Sequence, residues 1–251
     1  MISKILSAVA AAAFFVAGAA HAERLTDKPL VDAEWLSSHL SNKNLVIIDI
    51  RDVNKSGDPY ANGHVPGAIS ARYSESGWRA SVDGAPGKLP PKEKIEKTIA
   101  GLGVNDDSHV VIVTGGADAS DFGGATRVYW TFKVLGHDAV SVLDGGYTAW
   151  TKAGKDVSKD AVKLSAGDFK ANFRPELRAE VAQVQEAIAS DTNLVDARSV
   201  AQFIGKEKTA TVQKLGTVPT AVNVNFDKFY HADKPAFANA SEISEWSRLP
   251  R

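Results

Sequence analysis

Two pairs of charged residues, each an aspartate and an arginine separated by one position, stand at the ends of short apolar runs. The first pair is Asp49 with Arg51, and the second is Asp196 with Arg198. Such a pair could hold an anion, or its members could pair with each other, because charged groups near a core need partners. We favour the structural interpretation for both pairs.

A histidine stands in a turn that follows the first pair. His64 belongs to the segment G-H-V-P-G-A, which also contains Gly67. A histidine here could act as a base or a ligand, but in a turn rich in glycine and proline it more often bonds to nearby backbone. We therefore assign His64 and Gly67 to a structural motif. The six histidines show no spacing typical of metal ligands, and we expect neither a metal nor a cofactor.

The 251-residue chain contains no cysteine. Disulfides, thiolate metal sites and a cysteine nucleophile are therefore excluded. Its 44% hydrophobic and 24% charged residues are typical of a globular protein. The formal net charge of −1 gives no basic excess for binding nucleic acid, so we expect no nucleic-acid partner.

A glycine-rich stretch, residues 115–124, follows an apolar run and precedes a helix that we expect from Ala125 to Leu135. The stretch lacks the lysine and the glycine spacing of phosphate-binding loops, and it carries Asp118 and Asp121 instead. We therefore do not assign it to phosphate. A hydrolase using Ser120 or Asp118 is a weaker alternative, because no partner base is identifiable.

The first 22 residues have the pattern of a secretory signal peptide. Lys4 precedes an apolar run, and Ala20-His21-Ala22 fits a cleavage site. We expect cleavage after Ala22, a periplasmic or secreted location, and no membrane association after cleavage. An uncleaved N-terminal anchor is the alternative.

Strand and helix patterns alternate after the signal peptide. Apolar β-branched runs at Leu45–Ile50 and His109–Thr114 are typical of buried parallel strands, and amphipathic stretches lie between them. A further run ends at Asp144 and Gly145 and leads into a segment with Trp150. This order predicts an α/β fold with a mostly parallel sheet.

The chain also repeats itself. Asp196 follows Asp49 by 147 residues, and the turn that begins at Gly216 follows the one at Gly63 by 153 residues. We interpret this as a tandem duplication in which the last residue, Arg251, corresponds to about residue 98 of the first copy, just before the counterpart of the run His109–Thr114. The expected boundaries are a signal peptide at 1–22, a complete copy at 23–154, a linker at 155–176, and the front half of a second copy at 177–251.

Three motifs in order resemble the rhodanese family. They are D-I-R at 49–51, G-H-V-P-G-A at 63–68 and L-D-G-G-Y-T-A-W at 143–150. A secreted tandem of such domains is similar to thiosulfate and 3-mercaptopyruvate sulfurtransferases. The resemblance implies a parallel five-stranded sheet flanked by helices. It also implies an inert first copy and a second copy whose cysteine carries sulfur, as a persulfide, from a small sulfur-containing anion to a thiophilic acceptor.

This chain departs from that pattern at the position of the nucleophile. Thr114 stands where an active copy would have cysteine, and an alcohol cannot form a persulfide. Asp118 and Asp121 would repel an anionic donor, and the cysteine loop of the second copy is absent. We therefore expect no catalytic residue and no activity in this chain, and keep Arg198 as a candidate contact for the substrate anion. Asp144, Gly145 and Trp150 complete the structural motif.

A different class of function fits the same observations. The chain could be a non-catalytic periplasmic binding or scaffolding protein built on rhodanese domains. The sequence does not determine the oligomeric state.

Overall fold

The computed structural model describes residues 24–246, so the expected signal peptide, residues 1–22, lies outside the described residues. In the first part of the chain, strands and helices alternate. In chain order these elements are β1 (Leu30–Val31), α1 (Ala33–His39), β2 (Leu45–Asp49), α2 (Pro59–Asn62), β3 (Ile69–Ser70), β4 (Ala80–Val82), β5 (Ala85–Lys88), α3 (Lys92–Gly101), β6 (His109–Val113), α4 (Ala119–Val134), β7 (Val140–Leu143) and α5 (Gly146–Lys152).

Five of these strands form one parallel sheet in the order β1-β7-β6-β2-β3. The longest pairing joins β2 to β6, from Leu45 opposite His109 to Asp49 opposite Val113. All five residues of β6 are buried, as expected for the central strand of a sheet covered on both faces. The expected α/β fold with a parallel five-stranded sheet flanked by helices is confirmed.

Successive residues of the central strand contribute to two different cores. Ile112 belongs to a buried cluster that contains Phe132 of α4, whereas Val111 belongs to another that contains Trp150 of α5. This alternation follows from the two-residue period of a strand. It fixes both helices against the sheet and hence positions the loops at the strand ends.

Residues 155–174 contain no helix or strand but lie along the first part of the chain. His64 and Ser158 exchange two backbone hydrogen bonds of 2.9 Å, and Asn172 N–H donates to Leu135 O at 2.8 Å. Phe169 is fully buried and belongs to the same cluster as Phe132. This expected linker therefore contributes to the core of the part that precedes it.

The remaining described residues form shorter elements. They are a 3₁₀ turn (Pro175–Leu177), α6 (Val181–Ile188), β8 (Val195–Asp196), α7 (Val200–Phe203), β9 (Val222–Asn223), a second 3₁₀ turn (Phe226–Phe229), β10 (Tyr230–His231), β11 (Ala236–Phe237) and α8 (Ala240–Trp246). Strands β8 and β9 pair in parallel, as β2 and β3 do, and β10 and β11 form an antiparallel hairpin. Within residues 24–246, no helix is both long enough and apolar enough to cross a membrane.

Candidate functional site

The loop that follows β6 is shorter than the sequence predicts. We expected a glycine-rich loop over 115–124 and a helix from Ala125, but α4 already begins at Ala119. The reason is an N-cap, because the Asp118 carboxylate accepts hydrogen bonds from Ser120 N–H at 2.8 Å and Asp121 N–H at 2.9 Å. Asp118 therefore ends a compact loop at the carboxyl end of the central strand.

The carboxylate of Asp121 occupies the centre of this loop. It accepts hydrogen bonds from the backbone N–H groups of Gly116 at 2.6 Å, Ala117 at 3.2 Å and Gly115 at 3.3 Å. Converging N–H groups near a helix N-terminus form a cradle for an anion. Here the side chain of Asp121 itself occupies that cradle. Asp121 therefore does more than repel an anionic donor, as the sequence predicts, because it also takes the place that the anion would need.

Thr114, at the expected nucleophile position, is fully buried. Its hydroxyl oxygen has no hydrogen-bond partner in the described part of the chain. No base therefore contacts this hydroxyl to activate it, as nucleophilic catalysis by an alcohol requires.

The turn after β7 packs backbone against backbone on this loop. A Cβ at Gly146, where φ is +58°, would lie 2.7 Å from Thr114 O. Tyr147 N–H donates to the same oxygen at 2.8 Å, and the Thr148 hydroxyl donates to Gly115 O at 2.7 Å. The D-G-G motif thus serves close packing and holds the loop in place.

The β10–β11 hairpin covers the loop from the other part of the chain. The Tyr230 hydroxyl donates to Gly116 O at 2.9 Å, and the Tyr230 and Phe237 rings contact Phe122 of α4 with centroids 4.3 and 4.6 Å away. Burial, with smaller effects from Asp121 and other aspartates, raises the pKa of Tyr230 to about 12. The hydroxyl therefore stays protonated and can donate.

Two predicted motif residues take part in this cover. Asp144 accepts a hydrogen bond from Phe237 N–H at 2.8 Å, and burial raises the pKa of its carboxyl group. Gly145 has φ of +71°, and a Cβ there would lie 2.1 Å from Pro235 O. A side chain at this position would therefore push the hairpin away.

The two aspartate–arginine pairs have nearly identical geometry. Arg51 Nε donates to Asp49 at 2.9 and 3.0 Å and its Nη2 donates to Gly63 O at 2.8 Å, while Arg198 Nε donates to Asp196 at 2.9 and 3.1 Å. Like Arg51, Arg198 also reaches the first glycine of the following turn, with Nη2 2.9 Å from Gly216 O. Each pair ties a strand end to the turn that follows it.

The surroundings of the two arginines differ. The Arg51 guanidinium is buried and lies 3.9 Å from the centroid of the Tyr147 ring. Arg198 is 38% exposed and lines an open pocket of about 640 Å³ together with apolar residues such as Val195 and Leu215. Hydrogen bonds to Arg198 keep the pKa of Asp196 well below its usual range. Arg198 is therefore the more accessible of the two cations.

His64 and Trp150 have structural contacts. The buried His64 ring stacks on Tyr60 at 4.0 Å, and its nitrogens lie 3.0 Å from Tyr60 O and 3.2 Å from Asp160 O. Trp150 is fully buried, and its Nε1 donates to Asp156 O at 2.8 Å. Both residues help to bind residues 155–174 to the first part of the chain.

Gly67 and Thr220 occupy equivalent positions in the two turns, and both have a left-handed backbone conformation. Gly67 has φ of +78°, and Thr220 has φ of +65°. Glycine adopts this conformation freely, whereas it is strained for a β-branched residue.

The alternative of a hydrolase finds no support in the described residues. The Ser120 side chain makes no hydrogen bond there, and Asp118 is engaged as the helix cap. Residues 24–246 contain no group of three histidine or acidic side chains placed to hold a metal ion.

Comparisons with known proteins agree with this arrangement. The family model described as rhodanese-like domain matches residues 32–153. The 3-mercaptopyruvate sulfurtransferase of Escherichia coli K12 is 30% identical over 202 residues, which are 77% of this chain and 70% of that protein. The thiosulfate sulfurtransferase of Rattus norvegicus is 30% identical over 219 residues, covering 82% of this chain and 72% of that protein.

A solved structure shares the fold. The crystal structure of the 3-mercaptopyruvate sulfotransferase SseA from Escherichia coli superposes with a TM-score of 0.73 at 26% identity, covering 87% of this chain and 82% of that one.

Proposed function

The chain belongs to the rhodanese family of sulfurtransferases. From this premise we propose that it is a rhodanese-family protein that does not itself form the persulfide intermediate of sulfur transfer. In the family reaction, a donor such as thiosulfate or 3-mercaptopyruvate passes a sulfur atom to a cysteine thiolate. A thiophilic acceptor then removes it. We propose a small sulfur-containing anion as the sulfur donor of full-length relatives.

The observation that carries the proposal is the occupied N–H cradle after β6. A persulfide anion needs a thiol and unpaired donors around it. The sequence has no cysteine, Thr114 is buried without a base, and the donors of Gly115 and Gly116 already bind Asp121. These features support a first domain without catalytic residues.

We further propose the domain boundaries given above, with residues 177–251 as the front half of a second rhodanese domain. The support comes from parallel features of the two segments. Asp196 and Arg198 reproduce the hydrogen bonds of Asp49 and Arg51, and each pair is followed by a parallel strand pairing. In such a domain Arg198 is the candidate contact for a substrate anion.

The location in the periplasm or outside the cell is also part of the proposal. It rests on the residue pattern at 1–22, with a lysine, an apolar run and an A-x-A site. The relatives described above are sulfurtransferases, so they give no support to the alternative of a scaffolding protein.

A sulfurtransferase assay on the purified chain tests the proposal. We expect thiocyanate formation from thiosulfate and cyanide, and pyruvate release from 3-mercaptopyruvate, at the rate of buffer alone. The Escherichia coli 3-mercaptopyruvate sulfurtransferase serves as the positive control. Turnover that rises in proportion to the concentration of this chain would overturn the proposal.

A further inference from the structure

A pocket of about 440 Å³ lies between the β4–β5 hairpin, α4 and the residues that follow the first 3₁₀ turn. It contains no residue of the loop between β6 and α4. Its size falls in the range of small-molecule sites. The residues that matter for its chemistry are Lys88 and Leu89, Arg127 and Trp130 of α4, and Arg178.

The cations of this pocket are incompletely paired within residues 24–246. Arg178 forms an ion pair with Glu180, but Arg127 and Lys88 form none. Arg127 makes one hydrogen bond, from Nη2 to Gly87 O at 3.0 Å, and its Nε is buried without a partner. The guanidinium of Arg127 therefore retains donor capacity.

The charged side chains that line the pocket include more cations than acids. Burial lowers the pKa of Arg127, Tyr73 raises it, and the positive charge of Arg79 lowers it. The acidic residues lining the pocket are Asp83 and Glu180, and Asp83 forms no ion pair in the described chain. Like charges that are partly removed from water repel each other, so an anion would be favoured here.

One wall of the pocket is flat and apolar. Trp130 Nε1 donates to Leu177 O at 2.9 Å, which fixes the plane of the indole ring. The Arg127 guanidinium carbon lies 4.9 Å from the centroid of that ring. Leu89 lines the same pocket. The charged donor therefore lies over one face of an aromatic ring in the same pocket.

We propose that this pocket binds a small organic anion in which a carboxylate, sulfonate or phosphate group is attached to a flat apolar body. The anionic group contacts Arg127 and Lys88. The flat body lies against Trp130 and Leu89. This site is independent of sulfur transfer, because none of its residues belongs to the loop after β6.

Isothermal titration calorimetry with phenyl phosphate as the probe tests this proposal on the whole chain. We expect saturable 1:1 binding, with weaker binding of inorganic phosphate and of phenol, each of which lacks one half of the probe. Arg127→Gln and Lys88→Gln should each weaken the binding of phenyl phosphate by about tenfold or more, since each removes a charge-assisted contact. Lys43→Gln is the matched control, because Lys43 is exposed and does not line the pocket.

Three results would overturn the proposal. They are no binding of phenyl phosphate at millimolar concentration, equal affinity of the wild type and both pocket variants, and inorganic phosphate binding as tightly as the probe. Far-UV circular dichroism checks that Arg127→Gln is folded. Lys88 is exposed on the hairpin, so Lys88→Gln gives an independent measurement if the other variant unfolds.

Discussion

The carboxylate of Asp121 lies 2.6 Å from the backbone nitrogen of Gly116, in the middle of a loop whose N–H groups converge. A tethered anion thus satisfies donors that would otherwise be unpaired near the core. This relationship makes Asp121 a residue that stabilises the loop.

We predict that Asp121→Asn lowers the free energy of unfolding by about 1–3 kcal/mol. The amide offers one acceptor oxygen in place of two and has no charge, so at least one backbone N–H loses its partner. Urea unfolding curves measure the change. Asp107→Asn is the control, because Asp107 is exposed. Equal losses in the two variants would contradict the stabilising role of Asp121.

Thr114→Cys should place a thiol at the nucleophile position without creating a sulfurtransferase. The side chain there is fully buried and the N–H groups that would stabilise a thiolate already bind Asp121. We expect no thiocyanate formation and slow reaction with a thiol reagent such as dithionitrobenzoate.

The control for this variant is Ser120→Cys, in the first turn of α4, where the side chain is exposed. It should react with the reagent at least about tenfold faster, since thiol reactivity follows exposure and thiolate content. Equal reaction rates of the two variants would show that Thr114 is accessible.

Thr220→Gly should stabilise the chain by about 1 kcal/mol, because a left-handed backbone is strained for threonine and free for glycine. The φ angle of +65° at Thr220 is the structural basis. Thermal unfolding measures the effect. The reciprocal change Gly67→Thr, at φ of +78°, should destabilise by a similar amount. A loss of stability in Thr220→Gly would contradict a left-handed conformation at this residue.

Acid should destabilise the chain through His109. Burial, with the nearby charges of other cationic groups, lowers the pKa of this histidine from 6.5 to about 4. The folded state therefore resists protonation, and stability is lost as the pH falls from 6.5 towards 4, by about 3 kcal/mol in total.

Guanidinium chloride unfolding at pH 7 and pH 5 measures this loss. His109→Gln keeps a polar side chain near Ser141, whose Oγ lies 3.1 Å from His109 Nε2, but it cannot titrate. The pH dependence in this range should become shallower in the variant. An unchanged slope would exclude His109 as its source.

The parallel sheet could be predicted from the sequence. The binding of the Asp121 carboxylate by the loop after β6 could not. Runs such as Leu45–Ile50 have the composition of buried strands, and their alternation with helices determines a parallel sheet. The role of Asp121 depends on α4 beginning at Ala119, six residues before the expected start. The glycines at 123 and 124 indicated a loop, but the cap at Asp118 outweighed them.

Contacts between residues far apart in the chain could not be predicted from the sequence either. Nothing in the sequence pairs Tyr230 of the hairpin with Gly116, which lies 114 positions earlier. The pocket at Arg127 likewise joins a hairpin, a helix and a later turn.

The path of residues 155–174 determines how the chain can be divided for experiments. A fragment ending at Gly154 would lack Phe169, which fills the core beside Phe132, and would lose the backbone pairing of His64 with Ser158. A fragment that extends to Arg174 keeps both, together with the ion pair between Arg174 and Asp138 at 2.8 Å. A fragment meant to keep these contacts must therefore extend about twenty residues beyond α5.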